Sequence, residues 1–350
     1  MWTIYDIARE AGVSAKTVSR VLNGKPGVSK ETRTRILDIM QRVNYHAHIG
    51  AQSLRNKRSG CIGVTLPAPM NVVPISQGFF MWLFVKLYEL FGAKGDYIGF
   101  DLNPFSGSQH TDYGRGIWQQ LFKACVVAGP LAVDDQVIGR IHQSGVPYVA
   151  LGRLDGMPEC SCATVDYEEG ACISTKFLLD RGHKRIAMLK AFAGFQPGAE
   201  RRRGYLRALN EAGLDEDPSL IRSARFDARN IANVVHRLLT DSSVTALIDC
   251  SATEDGTSLR EGARRAGRIP GKDFEIVAWT YADNAAVLSE ASAHLWLPVV
   301  EAAAEGLEQL SGWLNGEREG PINVVFHPVL YTRWAQVEVP KPKRLFDLLD

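Results

Sequence analysis

The sequence lacks an apolar run long enough to cross a membrane, and it lacks an apolar core behind its first residues. A spanning helix needs about 18 to 20 consecutive apolar residues. Asp6, Arg9 and Glu10 stand where the apolar core of a signal peptide would lie. We therefore expect a cytoplasmic protein that is neither exported nor inserted into a membrane.

Cysteine is scarce and irregularly spaced. The chain has six cysteines, with no C-x-x-C pair and no histidine at zinc-finger spacing. We therefore predict reduced, mostly buried thiols, no metal and no cofactor. The six are Cys61, Cys125, Cys160, Cys162, Cys172 and Cys250.

The signatures of common enzyme classes are also missing. The sequence has no P-loop, no nucleophile elbow and no G-x-G-x-x-G after a predicted strand. His183 follows Gly182 without a nearby nucleophile, so packing or capping of a helix end explains it better than catalysis. An enzyme is therefore the weaker alternative, and we expect no catalytic residues.

Charge is balanced over the whole chain but unevenly distributed along it. The 350 residues, enough for two or three domains, carry a net charge of +1. Residues 1–60 hold eleven Lys/Arg and four acids, a net +7, whereas the rest holds 29 basic and 35 acidic residues, a net −6. A basic head on an acidic body indicates that only the head meets nucleic acid.

The basic head opens on residues 3–22, TIYDIAREAGVSAKTVSRVL, a pattern that predicts helix, tight turn and helix. Thr3 and Asp6 have the spacing of a capping box. Gly12 should end the first helix, and Ser14 can cap the second by accepting from the backbone near Thr17.

The second helix of this pair has two distinct faces. At about 100° per residue, Lys16, Arg20 and Asn23 share one face, and Val18 and Val21 lie opposite. Cations and an amide on one face suit a recognition helix that reads base edges in the major groove. The alternative is an ordinary helical hairpin with a solvated charged face.

A loop over residues 23–27 leads to a third helix. Ser29 is expected to cap the start of this helix. Helical spacing predicts that the following side chains close a small core: Ile36, Leu37, Met40 and Val43.

The run VSAKTVSRVLNGKPGVSKETRTRIL, with TIYDIAREAG before it and LRNKRSG after it, closely resembles the headpiece of the lactose-repressor (LacI/GalR) family of bacterial transcription regulators. The similarity is almost unbroken over residues 3–60. It implies a helix-turn-helix DNA-binding headpiece over 1–47 and a hinge over 48–60, which without the resemblance would be read as a linker.

The resemblance also implies which side chains meet double-stranded operator DNA. Those on the second helix would read bases, others would hold phosphates, and Leu54 would wedge into the minor groove and bend the duplex. For the serines and threonines at helix starts, capping explains the sequence equally well. The implied contacts are Thr3, Tyr5, Ser14, Ala15, Lys16, Thr17, Arg20, Asn23, Ser29, Thr32, Tyr45, Ser53, Leu54 and Arg55.

From Cys61 onward, short apolar strands alternate with helical stretches, and the alternation restarts near Cys162. Two such series predict two parallel sheets, each wrapped on both faces, with a cleft where the strand ends meet. The expected fold is therefore an all-α headpiece joined to a two-lobed α/β body.

The resemblance extends over this body through VDYEEGA, LLDRGHKRIAML, ERRRGYLRALNEAGL and EAAAEGLEQL. It implies an effector-binding and dimerisation domain over 61–340 that is similar to periplasmic sugar-binding proteins. The chain would cross between lobes three times, near residues 162, 291 and 321. Lobe one would comprise 61–161 and 292–320, and lobe two 162–290 and 322–340.

Arg201 stands three residues before Gly204, where the family places an Arg that holds the hydroxyl or carboxylate of the effector. A planar guanidinium can grip two oxygens at once, although the run 201–203 is also a plausible solvated helix start. Further pocket candidates have core packing or helix capping as alternatives. The implied effector-binding residues are Phe79, Asp166, Glu169, Arg201, Trp279 and Thr280.

The pocket departs from the family pattern at two places. Ala252 and Thr253 replace an Asn-Asp pair, and Thr280 replaces an acid. The missing groups predict an altered sugar pose, or a ligand that is less polar or more acidic than a plain sugar. A sugar or sugar acid is the expected effector.

The tail over 341–350 is too short for the multi-heptad coiled coil of a tetramer. A homodimer is therefore expected, since two headpieces read the two halves of a pseudo-palindromic operator. These features together predict an effector-controlled repressor. A secreted sugar-binding protein shares the lobes but needs a signal peptide and has no use for a basic head.

Overall fold

The computed structural model describes residues 2–22, 25–43, 60–67, 77–101, 112–191, 193–224, 227–251, 256–280 and 288–332. The chain divides into two compact units, Met1–Gly60 and Cys61–Asp350, which we describe separately. Of the predicted hinge, only Gly60 lies within the described residues.

The first unit contains three helices, α1 (Ile4–Glu10), α2 (Ala15–Leu22) and α3 (Lys30–Arg42). Their starts follow the predicted caps: the backbone N–H groups of Asp6, Thr17 and Thr32 donate to hydroxyl oxygens three residues earlier, at 3.2–3.3 Å. Gly12 has φ +62° in the turn between α1 and α2, a conformation that favours glycine.

Residues from all three helices form the small core of this unit. One predicted member is wrong: Leu37 is 48% exposed, and Ile39 is buried in its place. Position 37 lies about 100° around α3 from Ile36, whereas position 39 returns to the buried side. The core consists of Ile7, Ala8, Ala11, Val18, Val21, Ile36, Ile39 and Met40.

The second unit contains helices and strands in alternation. Among the described residues its α-helices are α4 (Gln77–Leu90), α5 (Arg115–Trp118), α6 (Val137–Gln143), α7 (Tyr167–Asp180), α8 (Gln196–Glu211), α9 (Ala228–Leu239), α10 (Thr257–Arg265) and α11 (Val299–Asn315). Its strands are β1 (Cys61–Thr65), β2 (Tyr97–Asp101), β3 (Ala124–Val127), β4 (Tyr148–Ala150), β5 (Cys162–Val165), β6 (Ile186–Lys190), β7 (Ile221–Ser223), β8 (Ala246–Asp249), β9 (Glu275–Thr280), β10 (Ala293–Trp296), β11 (Asn323–Phe326) and β12 (Val329–Tyr331).

These strands form two six-stranded sheets, one in each lobe. The order in lobe one is β11-β5-β4-β3-β1-β2, and every neighbouring pair is parallel. The order in lobe two is β12-β10-β9-β8-β6-β7, and only β12 runs antiparallel to its neighbour. The predicted two-lobed α/β body with parallel sheets is confirmed.

The chain changes lobes later than predicted at all three places. β5 extends the lobe-one sheet to Val165, β10 keeps the chain in the lobe-two sheet to Trp296, and β11 keeps it in the lobe-one sheet to Phe326. Which sheet a strand joins depends on partners distant in sequence, and local patterns do not reveal those partners.

Alternating side chains along the lobe-two strands face two helical layers. Ile186 and Met188 pack in the layer with α7 and α8. Ala187 and Leu189 pack in the layer with α9 and α10. No helix within the described ranges is long and apolar enough to span a bilayer.

Helices α7 and α8 approach each other closely at Gly204. A Cβ added there would lie 1.9 Å from the carbonyl oxygen of Glu168, so only glycine permits this packing. The close contact fixes the first turns of α8, which carry Arg201, against α7.

Candidate DNA interface and ligand site

The exposed face of α2 carries the predicted base-reading side chains. Lys16 and Arg20 are exposed, Ala15 and Thr17 are partly exposed, and Val18 is fully buried beneath them. The predicted division of this helix into a buried and a charged face therefore holds. Asn23, which was expected to extend the charged face, lies outside the described residues.

Hydrogen bonds from α3 hold the loop that follows α2. Arg33 donates to the backbone oxygen of Lys25 at 2.9 Å and to that of Val21 at 3.5 Å. The N–H of Lys25 in turn donates to the carbonyl of Arg20 at 2.9 Å. The end of the recognition helix is thus held by hydrogen bonds that leave the Lys16 and Arg20 side chains exposed.

The predicted phosphate-binding hydroxyls lie at helix starts. The hydroxyls of Ser14 and Thr17 lie 2.9 Å apart, and Ser29 donates to the hydroxyl of Thr32 at 2.8 Å. The capping roles of Ser14 and Ser29 are therefore present, and the phosphate roles stay predictions. Thr3 caps α1 and Tyr5 is exposed. Besides Asn23, the predicted contacts that lie outside the described residues are Tyr45, Ser53, Leu54 and Arg55.

A cavity of about 130 Å³ lies between the two lobes, near the carboxyl ends of their strands. Phe79 and Phe80 line it from lobe one, and Tyr167, Arg201 and Ser251 from lobe two.

Arg201 is the buried cation of this cavity. It is 2% exposed, so the alternative of a solvated helix start is wrong for this residue. Its guanidinium carbon lies 4.9 Å from the ring centroid of Tyr167 and 5.0 Å from that of Trp279. The two rings are nearly parallel, at 11°. Cation–π contact with both rings orients the guanidinium plane.

The next two residues after Arg201, Arg202 and Arg203, form ion pairs with nearby acids. Arg202 pairs with Glu216, and Arg203 pairs with Glu168 at 2.8 Å and with Asp155 at 2.7 Å. These pairs are partly exposed, so the solvated reading fits Arg202 and Arg203 better than it fits Arg201.

Four predicted pocket residues are not among the described residues that line the cavity. Trp279 lies behind it, buried, and donates its indole N–H to Ser174 at 3.1 Å. Thr280 ends β9. Asp166 caps α7, accepting from the N–H of Glu169 at 2.9 Å, as the capping alternative predicted. Glu169 pairs with His327.

One group of side chains has the spacing of a metal site. Ligand atoms of Asp166, Glu169 and His327 all lie within 4.8 Å of one another. Asp166 already caps a helix and lies 3.6 Å from Arg153, and Glu169 and His327 pair with each other. Since each donor already has a protein partner, we assign no metal here.

The lobes also touch through backbone and ionic contacts beside the cavity. Gln196 N–H donates to the carbonyl of Leu131 at 2.8 Å, and Val133 N–H donates to that of Gly194 at 3.2 Å. We call these two hydrogen bonds, between residues 131–133 and 194–196, the cross-lobe bridge. Next to it, Arg153 of lobe one donates to Glu200 of lobe two at 2.9 Å.

Glu200 is a buried carboxyl, only 1% exposed. Burial raises its pKa, and the charge and hydrogen bond of Arg153 oppose that rise. Sequence reasoning missed this pair and also missed Tyr167. The available signal for Tyr167 was its place just past the end of β5, where side chains meet the cleft.

A helix-turn-helix unit with an exposed basic face, joined to a two-lobed α/β body with a cleft, defines the class of ligand-responsive DNA-binding regulators. Residues 3–48 match the family model described as bacterial regulatory proteins, lacI family. Residues 76–309 match the model for periplasmic binding proteins and the sugar-binding domain of the LacI family.

Two similar proteins bear the names of transcription regulators. The transcriptional regulator RafR of Escherichia coli is 31% identical over 272 residues, which cover 76% of this chain and 78% of that protein. Catabolite control protein A of Priestia megaterium is 26% identical over 324 residues, which cover 90% and 93%.

Solved structures share the fold. The lac repressor dimer bound to operator and an anti-inducer aligns over 95% of this chain and 98% of that one, with a TM-score of 0.71 and 20% identity. The regulator CelR in complex with cellobiose aligns over 95% and 99%, with a TM-score of 0.64 and 23% identity. The chain belongs to the lacI family of bacterial regulatory proteins. It is a DNA-binding transcription regulator with a ligand-binding body of the periplasmic-binding-protein type.

Proposed function

We propose that this protein represses transcription by binding a pseudo-palindromic operator as a homodimer, and that a carbohydrate-derived effector in the cleft changes its operator affinity. The observation that carries the proposal is the exposed Lys16–Arg20 face of α2 above a fully buried Val18. Such a face places cations where they can reach guanine edges.

The DNA contacts divide by role. Lys16 and Arg20 read bases from the exposed face of α2, and the partly exposed Ala15 and Thr17 beside Lys16 contribute to the same contact. Hydroxyls at the starts of α2 and α3 hold phosphates and set the register, together with Thr3, Tyr5 and Tyr45. Hinge residues Ser53, Leu54 and Arg55 complete the interface, with Leu54 bending the centre of the operator.

The effector acts by changing the balance between two arrangements of the lobes. A ligand shifts such a balance only by binding one arrangement more tightly than the other. Arg201 belongs to lobe two and Phe79 to lobe one, and both line the same cavity. A ligand that touches both therefore favours the arrangement in which they approach.

A face of lobe one supports association of two copies. Four exposed large apolar side chains lie on α4 and on the side of the edge strand β2 that faces α4, and we call them the α4/β2 face. Phe84 and Phe100 are in contact within it, with ring centroids 4.9 Å apart. Clustered exposed apolar side chains of this kind mark protein interfaces. The α4/β2 face consists of Met81, Phe84, Tyr88 and Phe100.

The proposal is tested by selecting binding sites for the 350-residue chain from random duplexes. We expect enrichment of a pseudo-palindrome whose affinity then changes when an effector is added. Arg201→Ala should abolish that change and keep operator affinity, whereas the control Arg202→Ala should keep both. No enriched sequence, or an unaltered response in Arg201→Ala, would contradict the proposal.

A further inference from the structure

Tyr167 lines the cavity at the place where the chain passes from lobe one to lobe two. It is the first residue of α7, and a single residue, Asp166, separates it from Val165 at the end of β5. A ligand that bonds to Tyr167 therefore touches the connection between the two lobes.

Two neighbours hold the ring of Tyr167 in place. Its centroid lies 6.5 Å from that of Trp279, with 11° between the ring planes, and 4.9 Å from the guanidinium carbon of Arg201. Trp279 is itself held by its hydrogen bond to Ser174. A polar group that is fixed before binding loses little freedom when a ligand arrives, so the phenol oxygen of Tyr167 is well placed to select a ligand.

The hydroxyl of Tyr167 differs from the other hydroxyls of the cavity. Three of the described lining residues carry a hydroxyl group: Thr164, Tyr167 and Ser251. Thr164 donates to the carbonyl of Val165 at 3.4 Å, and Ser251 donates to a carboxylate oxygen of Asp249 at 2.5 Å. The hydroxyl of Tyr167 has no hydrogen-bond partner among the described residues. Its donor is therefore available to a molecule in the cavity.

The phenol of Tyr167 is protonated at neutral pH. Burial raises its pKa, and the charge of Arg201 opposes that rise without reversing it. A phenol O–H that is taken out of water usually has a partner, since an unpaired donor is unfavourable there. Most of the described wall is apolar, with Phe80 and Leu151 among its members. A single hydrogen bond in such a wall separates compounds that can accept it from compounds that cannot.

We infer that the hydroxyl of Tyr167 donates to a hydroxyl oxygen of the carbohydrate effector and so determines which sugars the cleft accepts. This inference rests on the proposed function, because it adds a residue to the effector site of that cleft. Tyr167 is then a specificity-determining residue, and its ring also orients Arg201.

The first measurement uses no ligand. Tyr167→Phe removes only the phenol oxygen, so the denaturant midpoint of the 350-residue chain should stay the same or rise, because no internal hydrogen bond is lost. The matched comparison is Tyr205→Phe, since Tyr205 is fully buried and its hydroxyl donates to the carbonyl of Ile186 at 2.7 Å. Tyr205→Phe should unfold at a lower denaturant concentration.

The second measurement uses named sugars. Calorimetry on the 350-residue chain would screen glucose, galactose, mannose, fructose, ribose, maltose and sucrose. For a sugar that binds, Tyr167→Phe should weaken binding about tenfold, which corresponds to about 1.4 kcal/mol. The matched control is Tyr97→Phe, because Tyr97 is exposed on the edge strand β2. The control should bind the sugar like the unchanged chain.

Monodeoxy forms of the bound sugar identify the atom that accepts from Tyr167. One of them should bind the unchanged chain about tenfold more weakly than the parent sugar, because the accepting oxygen is missing. On Tyr167→Phe the same form should bind about as tightly as the parent, since the bond is already absent. If Tyr167 only supported the fold of the site, the variant would weaken every form by the same factor.

Three results would overturn the assignment of Tyr167. They are a loss of stability in Tyr167→Phe as large as that in Tyr205→Phe, unchanged sugar binding by Tyr167→Phe, and no binding by any sugar of the set. Operator selection is measured separately on the unchanged chain. A chain that selects a pseudo-palindrome keeps the DNA-binding part of the proposed function even when the assignment of Tyr167 fails.

Discussion

At the scale of the single residue, Arg201 shows how a cation is kept in a buried site. Two aromatic rings, Tyr167 and Trp279, lie at 4.9 and 5.0 Å from its guanidinium carbon. The indole N–H of Trp279 is in turn fixed by Ser174. In the structure Trp279 packs against Arg201 and helps to orient its guanidinium group, and its predicted contact with an effector stays a prediction.

Two lysine variants can distinguish side chains that read bases from side chains that attract phosphates. Lys16→Ala should change the preferred base at one operator position, because Lys16 lies on the exposed face of α2. Lys57→Ala, in the predicted hinge, should weaken binding to all sequences alike and reduce the salt slope by about one. Competition assays on operator variants at several salt concentrations distinguish the two. A uniform loss in Lys16→Ala would refute the face assignment.

A histidine offers a test by pH. The hydrogen bond and charge of Glu169 raise the pKa of His327 above the ordinary value of about 6.5. Because the folded-state pKa is raised, the pair stabilises the protein fully below the unfolded pKa, and this contribution is lost as pH rises through the folded pKa. NMR titration of His327 should show the raised pKa.

The matched variant is Glu169→Gln. It should return the pKa of His327 towards 6.5 and reduce the loss of stability that the pair shows as pH rises above the ordinary histidine pKa. An unchanged titration in Glu169→Gln would show that another group raises the pKa.

At the scale of the element, helix starts and bounds follow closely from sequence, because caps and apolar spacing are local signals. The starts of α1, α2 and α3 were predicted from Thr3, Ser14 and Ser29. Asp166 caps α7, as the capping alternative predicted. The lobe crossings were misplaced because strand pairing is not local. The contact between Gly204 and Glu168 was also invisible in sequence, since it needs two helices at once.

The ion pair between Arg153 and Glu200 joins elements of different lobes. Arg153→Ala should lower the free energy of unfolding by about 3 kcal/mol, because it leaves a buried carboxylate without its partner. The double variant Arg153→Ala/Glu200→Gln should recover part of that loss, since the neutral amide costs less to bury. Denaturant unfolding measures both. A double variant no more stable than Arg153→Ala would show that burial of the Glu200 charge is not the cause.

At the scale of the whole molecule, the class of fold was accessible from sequence, because alternating strands and helices leave few arrangements. The ligand site was only partly accessible. Phe79 and Arg201 line the cavity, whereas Asp166, Glu169, Trp279 and Thr280 are not among the described residues that line it, and their contact with an effector stays a prediction. Which side chains line a cavity depends on packing that a single sequence does not encode locally.

Association can be tested on the α4/β2 face. Phe84→Glu/Tyr88→Glu should convert a dimer into a monomer, because two charges would be buried in an apolar contact. Sedimentation would report the mass, and affinity for a full operator should fall towards that for a half-site. The control Leu121→Glu alters another exposed apolar residue of lobe one and should leave the dimer intact. A double variant that stays dimeric would place the interface elsewhere.

The cross-lobe bridge has a consequence for how this protein can change over generations. Its two hydrogen bonds join main-chain atoms of residues 131–133 and 194–196, and main-chain atoms are common to almost every amino acid. Mutations of cleft side chains can therefore replace one recognised compound with another while these main-chain contacts between the lobes are retained. A descendant of this protein could thus gain a different ligand and keep the same backbone contacts between its lobes.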